Sequence, residues 1–365
     1  MMLDALPAGY SVIREDVERI ANGIGVAAAG LAGRRLLLTG ASGFLAAYMA
    51  DTIAWLNDNV LDEPCTLVAM VRTPVVDGGR LGHLLGREDI CFITQDVSSP
   101  TQIQGNVNFV VHAASRASPR KYLEDPLATI DANVSGTRHL LELARERESE
   151  KFLFLSSGEI YGNLVGTQIP IAESVPGRID CTGERACYTE SKRLGETLCM
   201  VYWRRFGVPV SIVRPFHVYG PGMAAGDGRV VAEFLESRAA GTPIRLLSDG
   251  SGVRAFCYIS DATTAMFAAL LGSVRGEALN VGDDREPIAM RDLAEMIARL
   301  EEPAVPVVRE GRDTASHLRE SPSWVCPDVG KARRLLGYSP KVGLQDGLVR
   351  TLAWYRECAS DRSVP

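Results

Sequence analysis

Short apolar runs, separated by polar or glycine-rich stretches, recur through the first two thirds of the chain. The clearest are Arg35–Thr39 (RLLLT), Leu67–Val71 (LVAMV), Phe109–His112 (FVVH), Phe152–Leu155 (FLFL) and Val210–Val213 (VSIV). Cys91–Thr94 is weaker and stops just short of Asp96. Runs this short with almost no polar alternation mark strands buried on both faces. Helical stretches lie between them: from Gly43 to about Leu56, over Pro126–Arg147 and over Tyr188–Arg205. Strands alternating with helices predict an α/β, doubly wound parallel sheet covered on both sides.

The flanks read differently. Before Arg35, Val12, Val17, Ile20 and Ile24 fall at near-helical spacing among charges, and Gly23, Gly25, Gly30 and Gly33 follow. This predicts a short amphipathic helix in an extension, 1–34, acting as a surface cap or oligomer contact. After 214, Gly and Pro cluster at 220–228, and helices are expected near 230–240, 291–300, 329–336 and 344–357. The sheet unit is therefore placed at 35–213, with a return strand near 278–282, and a smaller lobe mainly at 214–365.

Composition narrows the function. The chain has 365 residues and a net charge of −6, with no basic excess to neutralise phosphates, so nucleic acid is not an expected partner. The eight cysteines form no CxxC pair and the five histidines no cluster; no metal site is expected and the thiols read as reduced. Asp4, Arg14, Glu15, Asp16 and Glu18 interrupt any signal-peptide pattern. Apolar stretches such as 24–32 fall short of the ~20 residues of a membrane helix. A cytoplasmic protein without membrane association is expected.

Candidate chemistry sits at strand ends. Gly40 and Gly43 mark a strand-to-helix turn with GxxGxxA spacing, Ala46 supplying the last small residue. Backbone amides at such a turn can approach a pyrophosphate closely. Arg72 follows the second run where an acid often meets the ribose of NAD; it can pair a 2′-phosphate, which leaves NADP open beside NAD. Tyr188 and Lys192 lie at i and i+4 on one helix face, and an ammonium beside a phenol favours phenolate. Ser156–Glu159 follows the fifth run, so two segments converge at the strand C-termini.

These motifs resemble the extended short-chain dehydrogenase/reductases that modify nucleotide sugars: epimerases, dehydratases and decarboxylases. The resemblance rests on Thr39-Gly-Ala-Ser-Gly-Phe44, His112-Ala-Ala-Ser115, Ser156-Ser-Gly-Glu-Ile-Tyr-Gly162, Tyr188 with Lys192, Arg214-Pro-Phe-His-Val-Tyr-Gly-Pro221 and Arg254-Ala-Phe-Cys-Tyr-Ile-Ser-Asp261. Ala117-Ser-Pro119 with Tyr122, Arg185–Arg193, Asp227–Val231 and Pro327–Ala332 look most like UDP-glucuronate decarboxylases. The resemblance implies a Rossmann-type sheet with a C-terminal substrate-binding lobe, a tightly bound NAD and a nucleoside-diphosphate sugar substrate. It also implies a homodimer formed through the helices near 126–147 and 188–205, with Leu140, Leu141, Leu143 and Ala144 either in that contact or in the core.

By the same resemblance Tyr188, Lys192, Ser157 and Glu159 are catalytic. Tyr188 would take the sugar 4-OH proton, Lys192 lower its pKa and hold the ribose, Ser157 bind the 4-oxygen, and Glu159 act near C5. Gly40, Ser42, Gly43, Phe44, Leu45, Arg72, Asp96, Ala113, Ala114, Ser115, Asn133 and Pro215 would join Tyr188 and Lys192 around the cofactor, Asn133 by tying the sheet together. Arg116, Ser118, Tyr122, Gly158, His217, Arg229 and Arg254 would meet the substrate. Gly158 stands where decarboxylases carry Ser and 4,6-dehydratases Asp; it argues against dehydration and suggests room for a rotating or larger sugar. His217 replaces a usual Asn and is an alternative acid near neutral pH; Arg116 replaces a usual Pro. The expected reaction is decarboxylation of a UDP-hexuronate. The alternatives are 4-epimerisation of an unusual or acidic sugar, then 4,6-dehydration, and outside catalysis an inactive nucleotide-binding module.

Overall fold

The computed structural model describes residues 9–164, 169–310 and 324–361. Helix α1 (Tyr10–Ile24) precedes a βα series: β1 (Arg35–Thr39), α2 (Phe44–Asn59), β2 (Thr66–Val71), β3 (Ile90–Thr94) and β4 (Phe109–His112). Helices α3 (Pro119–Glu124), α4 (Pro126–Asn133) and α5 (Ser135–Glu146) lead to β5 (Lys151–Leu155), and α6 (Ala186–Phe206) to β6 (Val210–Pro215). The lobe that follows holds β7 (Val218–Tyr219), α7 (Val230–Ala239), β8 (Ile244–Leu246), β9 (Val253–Arg254) and β10 (Cys257–Tyr258). Then come α8 (Ile259–Leu271), β11 (Glu277–Val281), β12 (Ile288–Ala289), α9 (Met290–Ala298), β13 (Val307–Arg309), β14 (Trp324–Val325), α10 (Gly330–Leu336) and α11 (Leu344–Asp361).

The main sheet has seven strands in the order β11-β6-β5-β4-β1-β2-β3, all parallel. The predicted runs are buried because helices cover both faces: β1, β2, β4 and β5 have their apolar side chains almost wholly out of water. Chain order reverses between β1 and β4, and the crevice at their C-terminal ends is the ordinary ligand position of such sheets. The return strand leaves the C-terminal lobe to pair with β6, Ala278 opposite Ile212.

Several expectations change. The helix predicted over Pro126–Arg147 is two helices, broken at Val134 (φ −107°, ψ −64°). Asp125 caps the first, its Oδ1 accepting from Ala128 N at 3.2 Å. Leu140, Leu141, Leu143 and Ala144 belong to the core under the sheet. The amphipathic N-terminal helix packs its apolar face on α2 and α8, burying Val17, Ile20 and Ala21, while Arg14, Glu15 and Arg19 stay exposed. Its Asp16 is fully buried and accepts from Tyr258 Oη at 2.7 Å and Arg350 Nη2 at 2.9 Å. Helix α8 is absent from the expected elements; it is apolar nearly all round and buried under β5 and β6, so no stripe marks it in the sequence.

Candidate active site

One cavity of about 730 Å³ opens at the C-terminal ends of the strands and extends into the C-terminal lobe. At one end lies the glycine turn. Gly40 takes a left-handed φ of 65°, and a Cβ there would come within 2.7 Å of Ala114 Cα. Only glycine lets the turn sit this close to the end of β4. Ser42, Gly43, Phe44 and Leu45 then line the cavity where α2 begins. Ala113, Ser115 and Pro215 line it from β4 and β6.

Ser157, Glu159, Tyr188 and Lys192 come together at the end of β5. Ser157 Oγ accepts from Glu159 N at 3.1 Å. Tyr188 is buried, and burial pushes its hydroxyl well above the ordinary tyrosine range, with Glu159 adding to the rise; Ser157, Arg229 and Arg185 pull the other way. Lys192 Nζ donates to Leu155 O at 2.7 Å and lies 5.0 Å from the Phe154 ring centroid. Burial brings its ammonium down to about 7, against the attraction of Glu196. Lys192, expected to lower the phenol, is not among its largest influences.

Glu159 is not a free base. Its Oε2 pairs with Arg185 Nη2 at 2.8 Å, so the carboxylate arrives already oriented. In the sequence Arg185 stands out only as part of a motif; its partner lies 26 residues away, and no spacing rule reveals such a pair. Arg229 is held by Asp227 through two bonds of 2.7 and 3.0 Å and lies over the Phe44 ring. Arg254 donates to Val253 O, but among the described residues no carboxylate lies within 4.0 Å of it. Burial, and then repulsion from Arg185, bring it down to about 10.

Two readings are corrected at Gly158 and His217. Gly158 leaves no extra room: a Cβ there would lie 2.8 Å from Phe216 Cγ. The Phe216 ring fills the space in which other residues would place a side chain. His217 lines the cavity with its side chain exposed to it; desolvation by the cavity wall, with Arg254 repulsion next, shifts its imidazole below the ordinary histidine range, which disfavours the protonated acid form. Its φ of 37° is left-handed, a conformation Asn and His tolerate better than most residues.

Other predicted residues lie outside the cavity wall. Arg116 turns to Asp125 at 2.9 Å instead of facing the substrate. Tyr122 stacks behind Tyr188, centroids 5.1 Å apart and planes 12° apart, so it backs the Tyr188 ring. Asn133 Nδ2 donates to Ser191 Oγ at 2.9 Å; it ties α4 to α6 and not the strands to one another. Asp96 caps a turn at Ser98 N and faces the exposed Arg72. Ser118 does line the cavity.

The geometry agrees with similarity to known proteins. Residues 36–282 match the model of the NAD dependent epimerase/dehydratase family, more than half of the chain. The chain belongs to the NAD-dependent epimerase/dehydratase family. UDP-glucuronic acid decarboxylase 1 of Xenopus tropicalis is 32% identical over 326 residues, covering 89% of this chain and 72% of the relative. UDP-glucuronic acid decarboxylase 3 of Arabidopsis thaliana is 33% identical over 316 residues, with 86% of each covered. Among solved structures, the UDP-glucuronic acid 4-epimerase of Bacillus cereus in complex with UDP-glucuronic acid and NAD matches with a TM-score of 0.73 at 24% identity, over 88% of this chain and 99% of that one. That likeness concerns the fold alone.

The site suits the dinucleotide of this NAD-dependent family. The Gly40 turn is a cradle that a Cβ would fill. Ser115 and Ser118 hydroxyls are buried without a protein partner among the described residues, and buried hydroxyls normally have one.

Proposed function

We propose that the chain oxidises C4 of a nucleoside-diphosphate sugar, decarboxylates a UDP-hexuronate and returns the hydride. Arg254 carries this reading. It is a half-buried guanidinium in the catalytic cavity with no carboxylate of the protein within 4.0 Å among the described residues. A buried charge without a partner is costly, and an acidic sugar brings the missing counter-charge in a bidentate form.

The residues then divide the work. Tyr188 Oη accepts the proton of the sugar 4-OH, and Ser157 Oγ hydrogen-bonds the 4-oxygen. Bound NAD supplies the acceptor for the C4 hydride and later gives the hydride back. Lys192 keeps two N–H donors beyond its bond to Leu155 O for ribose hydroxyls. With a ketone at C4 the C5 carboxylate is a β-keto acid. As CO2 leaves, the electron pair of the C5–C6 bond passes to the 4-oxygen, held by Ser157 and Tyr188 donors; C5 then takes a proton. Glu159, fixed by Arg185, orients the water or acid that delivers it.

The closeness of Phe216 to Gly158 speaks against a spacious site of the kind that would suit 4-epimerisation, and a glycine at 158 offers no acid for 4,6-dehydration. NAD fits better than NADP, because Asp96 puts a negative charge beside Arg72. We also assign a homodimer through α4 and α6, whose Leu127, Ile130, Leu194 and Val201 are exposed. Mass spectrometry on UDP-, dTDP- and GDP-sugars, with and without added NAD, tests the reaction. Loss of CO2 from UDP-glucuronate is expected. An isomer of unchanged mass would replace the reading with 4-epimerisation; UDP binding without any turnover would leave a silent nucleotide-binding module.

A further inference from the structure

The segment between β2 and β3 carries an arginine that the mechanism has not used. Arg80 lines the cavity at the glycine-turn end. Its Nη1 lies 3.5 Å from the carbonyl oxygen of Ser42, and a Cβ on Gly222 would lie 3.6 Å from Nη2 and 3.8 Å from the Phe44 ring. The charged groups around it are Asp51, Asp227 and Arg229, with the Tyr48 hydroxyl beside them. Among the described residues no carboxylate is within 4.0 Å of Arg80, and burial lowers its basicity. The guanidinium thus faces a helix N-terminus across the cavity with one long contact to a carbonyl.

Its position is braced from outside the sheet unit. His83, three residues on, places Nε2 2.7 Å from Asp51 Oδ1 of α2, and the Tyr10 ring of α1 covers His83 at 4.5 Å between centroids. A guanidinium held partly out of water over the start of α2, with no carboxylate at bonding distance among the described residues, suits an anion there. A diphosphate is the anion whose geometry a guanidinium fork matches.

We propose that Arg80 is a further ligand of the bound dinucleotide's diphosphate, delivered to the α2 N-terminus by a segment that Tyr10, His83 and Asp51 brace. The proposal rests on the family's dinucleotide and is independent of which sugar reaction follows. The diphosphate of the sugar nucleotide is the competing source of the same chemistry, so the test separates the two.

Arg80→Met and Arg80→Lys are purified, the NAD that co-purifies is quantified after release, and NAD and UDP are titrated calorimetrically into nucleotide-stripped protein. Arg80→Met should weaken NAD by about tenfold to a hundredfold and lower the co-purifying fraction, while UDP affinity stays within about twofold. Arg80→Lys keeps the charge without the fork and should lose roughly threefold to tenfold in NAD affinity. Unchanged NAD affinity in either variant overturns the proposal, as does a loss that falls on UDP instead. Thermal melts check folding; should the methionine variant not fold, the lysine variant decides alone.

Discussion

Alanine at position 158 would put a methyl group 2.8–2.9 Å from Cγ, Cδ1 and Cδ2 of Phe216. Real Cβ contacts do not come this close, and the obstacle is a ring that is 1% exposed and has little space to retreat into. Overpacking of this kind costs about 1–3 kcal/mol. Gly158 lies in a 3₁₀ turn without a left-handed φ, so alanine also gains roughly 0.4–1 kcal/mol by restricting the unfolded chain. Taking the middle of each range, the net expectation is a destabilisation of about 1.3 kcal/mol. Urea unfolding of Gly158→Ala, Phe216→Leu and the double variant gives the coupling directly. On the leucine background the ring is gone, and alanine should be neutral or stabilising by up to about 1 kcal/mol. Equal destabilisation in both backgrounds, or none in the parent, refutes the packing argument and restores the idea of a roomy site.

Tyr188→Phe keeps the stacked ring and removes the proton acceptor, so turnover should fall by about 10²–10⁴ while calorimetry finds NAD and UDP bound as before; retained turnover would remove Tyr188 from the chemistry. Arg254→Met should raise KM for UDP-glucuronate by about tenfold or more, with a smaller change in UDP affinity; steady-state kinetics beside UDP titration reads the difference. Burial raises Asp16 from 3.8 to about 6, so its contribution to stability is present below about pH 3.8 and lost as pH rises through 6; urea melts across this range should show that slope in the parent and not in Asp16→Asn.

Much of the sheet was legible because its strands are buried on both faces, and burial on both faces demands a continuous apolar run such as Leu36–Leu38. Helix α8 was hidden for the related reason that a helix buried all round loses its period. The break at Val134 went unread because no proline marks it, and an isolated glycine such as Gly136, two residues on, is tolerated inside a helical pattern. At the site, chain-local signals were readable: the Gly40 turn, the Tyr188–Lys192 spacing and the Ser157 strand end. Pairings between distant segments were not. Arg185 on Glu159, Phe216 on Gly158 and Arg80 over the α2 turn each join parts of the chain that only the fold brings together. Gly158 misled because an absent side chain reads as free volume in a sequence, whereas Phe216 already occupies that volume. His217 misled for a physical reason of its own: a typical imidazole pKa presupposes no cations nearby, and here Arg254, Arg185 and Arg229 act on the ring.

Asp16 and Arg350 are 334 residues apart in the chain, and their bond has a consequence for biogenesis. Asp16 meets this counter-charge only after the 334 residues up to Arg350 have been made. Until then a carboxylate destined for complete burial has no arginine, and α1 has no α11 to pack on. Final docking of α1 therefore waits for α11, and truncation within α11 should be felt first at α1.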